Sequence, residues 1–147
     1  MKKLMTLVAS ALLTVSAYAQ TTPNLEGTWL TQSGEAKIKI SKTGDVYNGA
    51  IVWLKTPLNE EGKPKNDHKN PDEKLRSRPV MGLNLISGFK KANDKKYENG
   101  KIYDPKEGKL YSCTINMRDD KVIDVRGYVG ISLLGKTQVW YRVADLK

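Results

Sequence analysis

Among its 147 residues the chain has one cysteine, Cys113, and one histidine, His68. A single thiol excludes an internal disulfide framework, so the fold must be stabilised by burial. Cys113 shares a period-2 face with Tyr111, Ile115 and Met117, which makes it a buried, inert thiol; a reactive one needs an electropositive, partly exposed setting. One histidine without a second cysteine cannot complete a usual zinc set from Asp67, His68, Asp72 and Glu73, and the calcium-loop pattern with its central glycine is missing. No metal and no cofactor are expected. There is no Gly-x-Ser-x-Gly, His68 has no identifiable serine or cysteine partner, and nothing singles out two carboxylates for glycoside hydrolysis. These absences leave catalysis open but point away from an enzyme, and no catalytic residue is assigned.

Long apolar runs are equally scarce. The one at Leu4 to Ala17 covers roughly 14 residues, where a bilayer span needs about 20. Lys2 and Lys3 precede it and Ala17-Tyr18-Ala19 follows, which is the order of an export signal cleaved between Ala19 and Gln20. Residues 1–19 are therefore expected to be a removed signal peptide and residues 20–147 one exported domain, periplasmic or, alternatively, secreted. A lipoprotein signal would need a cysteine just past the cleavage site. Nothing after Gln20 is long or apolar enough for a transmembrane helix, so at most a peripheral contact with an anionic envelope surface is expected.

Removing Lys2 and Lys3 with the leader lowers the formal net charge from +9 to +7. Such a balance suits anionic headgroups, acidic glycans or an acidic partner, and equally a solvated surface that keeps the domain soluble. Nucleic acid is not expected as a partner, because no compact run interleaves basic and aromatic residues.

No segment carries a sustained helical period. Short strand-like runs follow one another instead: Leu25–Leu30, Glu35–Ser41, Val46–Leu54, Val80–Lys90, Tyr97–Asp104, Leu110–Arg118, Val122–Gly130 and Lys136–Val143. In Glu35–Ser41, Ala36, Ile38 and Ile40 alternate with Glu35, Lys37 and Lys39, the mark of a half-buried strand. About eight strands joined mostly by tight turns predict an all-β fold, a single antiparallel up-and-down barrel, because closure removes exposed edges. An open sandwich is the alternative. Gly27-Thr28-Trp29 near the start and Gln138-Val139-Trp140-Tyr141-Arg142 near the end resemble the pair with which lipocalin-like barrels cover a first-strand tryptophan by a basic side chain. Gly27, Trp29 and Arg142 are accordingly assigned to structure.

The regular succession is broken once, by the polar, proline-bearing stretch from Lys55 to Pro79, between the third and fourth strands. Seven basic against five acidic side chains make it a self-paired lid and not a polybasic tail. Asp67, Asn70 and Pro71 either form turns or, with Arg76 and Arg78, line the mouth of the barrel and hold a ligand's polar end. The aromatic side chains either fill the core with polar tips at the rim or grip a ligand, and Trp53 and Tyr103 join the candidate ligand residues. Arg126 either faces water or needs a buried partner such as Asp104 or Asp124; pointing inward, it would hold an anionic headgroup.

Taken together, the ordered motifs resemble the exported bacterial domain-of-unknown-function family 2147, a lipocalin-like (calycin-type) barrel. They are Gly27-Thr28-Trp29, Gly49-Ala50-Ile51-Val52-Trp53-Leu54, Asp67-His68-Lys69-Asn70-Pro71, Leu75-Arg76-Ser77-Arg78-Pro79 with Gly82 shortly after, Gly100-Lys101-Ile102-Tyr103-Asp104-Pro105, Gly108-Lys109-Leu110-Tyr111, Val125-Arg126-Gly127-Tyr128-Val129-Gly130 and Gln138-Val139-Trp140-Tyr141-Arg142. The resemblance implies an exported, compact β protein and supplies no activity. The expectation from the residues is a barrel that binds a small amphipathic or anionic ligand. A filled barrel presenting basic loops to an envelope partner is the alternative, and a hydrolase acting on an envelope component comes third.

Overall fold

The computed structural model describes residues 22–147. The expected export signal and its expected Ala19–Gln20 cleavage site lie outside the described residues. Eight strands, β1 (Gly27–Leu30), β2 (Ala36–Thr43), β3 (Val46–Leu54), β4 (Asn84–Asn93), β5 (Lys96–Asp104), β6 (Lys109–Met117), β7 (Val122–Tyr128) and β8 (Lys136–Val143), form a closed barrel in chain order. Every neighbouring pair is antiparallel, and β1 closes on β8 with Trp29 opposite Arg142. Closure leaves no edge strand, so the open-sandwich alternative falls away.

The alternation in β2 does what its pattern predicts: Ile38 and Ile40 are buried between half-exposed Lys37 and Lys39. The fourth strand differs from its expected span, Val80–Lys90, by starting at Asn84 and continuing to Asn93. Val80 to Leu83 are used otherwise, because the Val80 N–H donates to the Lys65 carbonyl (2.9 Å) and the chain turns at Gly82, whose φ is +84°. Its amide and the Leu83 carbonyl both bond the backbone of Ile51 at 2.9 Å, so this stretch finishes the long connection before the regular ladder starts.

The lower bore is filled by its own side chains. A Cβ on Gly100 would lie 2.3 Å from the Phe89 ring, and one on Gly49 would lie 2.7 Å from Ile86 and 2.9 Å from Ile38. Both glycines leave room that a core side chain occupies.

In an up-and-down barrel the β1–β2, β3–β4, β5–β6 and β7–β8 connections share one end, and the termini share the other with the remaining turns. The terminal end is sealed. Trp29 is fully buried, its indole N–H donates to the Leu25 carbonyl at 2.9 Å, and the Arg142 guanidinium lies 4.3 Å from its ring centroid. Arg142 also donates to the carbonyls of Glu26 (2.7 Å), Asn24 and Asp120, tying three chain segments together. Gly27 is required beneath it: its φ is +135°, and a Cβ there would come within 2.2 Å of Arg142 Nη1.

Candidate functional site

The long β3–β4 connection is an ordered structure built from short polar devices. Isolated bridges join Leu58 to Pro64 and Asn66 to Pro79. Asn59 Oδ1 accepts from the amides of Glu61 and Lys63, and Asp72 caps a single 3-10 turn, Glu73–Leu75, by accepting from the Lys74 amide. Asn and Asp side chains mimic backbone turn partners in this way, which is why this composition folds locally without a core of its own.

At its centre Asp67 is fully buried. Its Oδ1 accepts from the Tyr103 hydroxyl at 2.6 Å; its Oδ2 accepts from the Asn70 amide at 2.8 Å and from Arg78 Nε at 2.9 Å, with Arg78 Nη2 also at 2.9 Å. Burial pushes the Asp67 carboxyl up, but the Tyr103, Asn70 and Arg78 donors outweigh it and hold the group below its ordinary 3.8. For Tyr103, burial and the hydrogen bond to Asp67 both favour the neutral phenol and push it up to about 12. Arg76 completes the group by donating from Nε to the Asn70 carbonyl at 2.8 Å and pairing with Glu73.

Four of the sequence-derived site residues, Asp67, Asn70, Arg78 and Tyr103, are therefore brought into one cluster with Arg76 at its edge. The cluster is chemically complete, since among the described residues no buried side-chain nitrogen or oxygen lacks a partner. As it stands it is a latch between the connection and β5. Tyr103 follows Ile102, whose Cγ2 lies 3.4 Å from the Cβ position of Gly127, two strands away across the bore. Successive strand residues face opposite ways, so Tyr103 presents to the outer side of the rim and the latch fastens the connection there. The β5–β6 turn packs against it: at Gly108, φ +67°, a Cβ would come within 1.9 Å of the Lys69 carbonyl.

Trp53 and Arg126 stand apart. Trp53 pairs in register with Lys37, whose Nζ lies 5.0 Å from the indole centroid. Arg126 donates to Thr137 Oγ1 (2.9 Å) and to the carbonyls of Ser132 (2.8 Å) and Leu133 (3.4 Å), so its partners are neither Asp104 nor Asp124. Asp124 is taken by Arg118, at 2.7 and 2.9 Å. Two surface clefts, about 510 Å³ beside Arg142 and Asp145 and about 390 Å³ beside Arg126 and Asn116, also lie away from the latch. His68 is exposed, and among the described residues no three His, Cys, Asp or Glu side chains converge as a metal ion would require.

The end bearing the latch also holds the partly buried apolar side chains Ala36, Leu54, Leu85 and Ile102, packed on the core without being enclosed by it. Sequence reasoning treats the β7–β8 connection as a plain loop. The missed signal was its composition, with Val129, Ile131, Leu133 and Leu134 gathered around Gly130 and Gly135.

A family model described as an uncharacterized protein conserved in bacteria (DUF2147) matches residues 27–142. A solved structure described as "Protein HP1028 from the human pathogen Helicobacter pylori belongs to the lipocalin family" is similar at a TM-score of 0.73 and 24% identity, over 84% of this chain and 86% of that one. At that identity the likeness concerns the fold. No curated protein matches. Among the described residues no helix is long and apolar enough to cross a membrane.

Proposed function

This chain belongs to the bacterial family DUF2147, and we propose that it is an exported, periplasmic lipocalin-like barrel that holds a small amphipathic or anionic ligand at its open end. The observation that carries the reading is the contrast between the two ends. One is sealed by Trp29 and Arg142. At the other, Ala36, Leu54 and Ile102 stay partly exposed above the filled bore, and Gly127 leaves open the space a side chain would take beside Ile102. Eight-stranded barrels are of a size to hold one small ligand, and the packed lower bore restricts such a ligand to a shallow seat. Its apolar part would lie on these side chains and its anionic group among the lysines of the rim. Export rests on the Lys2-Lys3, Leu4–Ala17 and Ala17-Tyr18-Ala19 order. The same filled bore favours a second reading, a non-enzymatic envelope protein whose basic loops meet a partner.

Titration with a fluorescent fatty acid tests the ligand reading. Saturable binding of one molecule per chain is expected, lost in Gly127→Leu, where the new side chain fills the seat while circular dichroism stays unchanged. Absence of saturable binding, together with native mass spectrometry of envelope-purified protein showing no added mass, would leave the second reading. Amino-terminal sequencing of protein from the host envelope tests export, which requires Gln20 as the first residue.

A further inference from the structure

The β7–β8 connection carries a concentration of exposed apolar side chains: Val129 is 70% exposed, Ile131 58%, Leu133 85% and Leu134 78%. Scattered exposed aliphatics are ordinary, but four within six residues form a contiguous tip. The backbone of this tip is turned inward. Ser132–Leu134 form a 3-10 turn, the amides of Leu134 and Gly135 donate to the carbonyls of Ile131 and Ser132 at 3.2 Å, and Arg126 reaches up from β7 to the carbonyls of Ser132 and Leu133. The leucines thus project from a loop whose Ile131, Ser132 and Leu133 carbonyls are satisfied from within, which lowers the cost of bringing that part of the backbone into apolar surroundings.

The surroundings of the tip are basic. Lys136 follows it directly, and Lys109 stands beside exposed Leu110 at the same end. Lys69 lies on the β3–β4 connection where that connection meets Gly108. Glu107 lies among them on the β5–β6 turn; the Tyr111 hydroxyl, donating to it at 2.6 Å, and then Lys109, Lys136 and Lys69 hold its carboxyl below the usual range.

We infer that this tip docks the protein on an anionic lipid surface, with Leu133 and Leu134 entering the boundary between headgroups and acyl chains and Lys69, Lys109 and Lys136 over the headgroups. A protruding aliphatic tip followed by Lys136, with Lys69 and Lys109 at the same end, suits a fluid anionic surface, which needs no matching pocket, better than a protein groove. Apolar insertion and electrostatic attraction are each weak alone and together give a reversible peripheral contact. The docking sets the open end of the barrel toward the bilayer, and it stands whether or not a ligand occupies that end.

Because Cys113 is buried, a Leu134→Cys variant offers one accessible thiol for an environment-sensitive fluorophore. Its emission is expected to rise and shift to the blue with vesicles of phosphatidylcholine containing about one third phosphatidylglycerol, to stay unchanged with phosphatidylcholine alone, and to fall back in high salt. In the unlabelled chain, L133D/L134D should weaken co-sedimentation with the anionic vesicles on the order of 100-fold, about tenfold per leucine. An unmoved fluorophore, equal sedimentation of the two chains, or a concentration-dependent blue shift without vesicles would each overturn the inference, the last in favour of self-association.

Discussion

Replacing Asp67 by alanine is the sharpest perturbation the latch offers. The carboxylate accepts from Tyr103, Asn70 and Arg78 while itself fully buried. Removing one partner of a fully buried ion pair costs about 3–5 kcal/mol. Here the Arg78 side chain is 39% exposed and can rehydrate, which brings the expected cost to about 2–3 kcal/mol. Asp67→Asn keeps the shape and an acceptor for Arg78, so only the charge-assisted part is lost, about 1 kcal/mol. The loss should fall on local opening of the connection and not on the barrel, whose packing does not involve Asp67. Native-state hydrogen exchange reads this directly, because the amides of Asp67 (to the Arg78 carbonyl, 3.0 Å), Asn70 (to the Asp67 carbonyl, 3.0 Å) and Val80 (to the Lys65 carbonyl, 2.9 Å) are protected only while the connection is closed. At tenfold per 1.4 kcal/mol, Asp67→Ala should accelerate them roughly 30- to 140-fold and Asp67→Asn roughly fivefold, with β7 amides unchanged. Unaltered exchange at all three amides in Asp67→Ala would refute the latch and assign the order of the connection to its backbone bridges alone.

Three other outcomes follow from the same geometry. Trp29→Ala removes a fully buried indole and its Arg142 contact, about 3–5 kcal/mol, and should lower the melting temperature by on the order of 10 °C or more; an unchanged melting curve refutes the sealed end. Burial pushes the Cys113 thiol up to about 12, so a thiol reagent should label it only as fast as the protein unfolds, and rapid labelling of the native chain would refute its burial. The latch should also have a pH window. The lowered Asp67 pKa contributes stability present above the unfolded carboxyl's range and lost as pH falls through the folded value, below 3.8; the raised Tyr103 pKa contributes stability present below 10 and lost as pH rises toward about 12. Exchange at Asp67, Asn70 and Val80, corrected for intrinsic rates, should therefore accelerate on both sides of a protected plateau, and a monotonic profile would contradict this.

The barrel was legible because its determinants are local. The alternation of Ile38 and Ile40 with Lys37 and Lys39, and turn residues such as Gly44 at φ +60°, act within one strand or hairpin. Closure needed one long-range pairing, and Gly27, Trp29 and Arg142 carried a recognisable signature of it. The latch was half legible: the spacing of Asp67, Asn70 and Pro71 announces a turn, and Arg78 lies eleven residues on. The partner that decides the geometry, Tyr103, is 36 residues away on β5, and no period in the connection points to it. The fourth strand was misplaced by four residues at its start because Val80 and Leu83 are apolar for a different reason. They are buried in the core from the end of the connection, and burial alone does not reveal whether the backbone there belongs to a ladder.

The division of labour between the two basic residue types reaches across fold and function. All five arginines are engaged by the chain itself: Arg142 with the carbonyls of Asn24, Glu26 and Asp120, Arg126 with those of Ser132 and Leu133, Arg118 with Asp124, Arg78 with Asp67, and Arg76 with the Asn70 carbonyl. A planar, multi-donor guanidinium suits this tying of separate segments, whereas an ammonium is a hydrated point charge on a flexible stem. The charges left free to meet a partner at the end that bears the latch are therefore mostly those of lysines, with Lys69, Lys109 and Lys136 near Glu107, while Arg126 keeps its charge but spends its donors on the backbone of the tip. An anionic headgroup or ligand meeting this surface would be held by long-range attraction and not by a bidentate clamp. Its binding should weaken steeply with salt and tolerate changes in headgroup shape. Arginine substitutions, by contrast, should act through the fold: Arg126→Lys would loosen the backbone of the tip while conserving its charge, so lipid binding should fall at constant net charge if the tip must be rigid to insert.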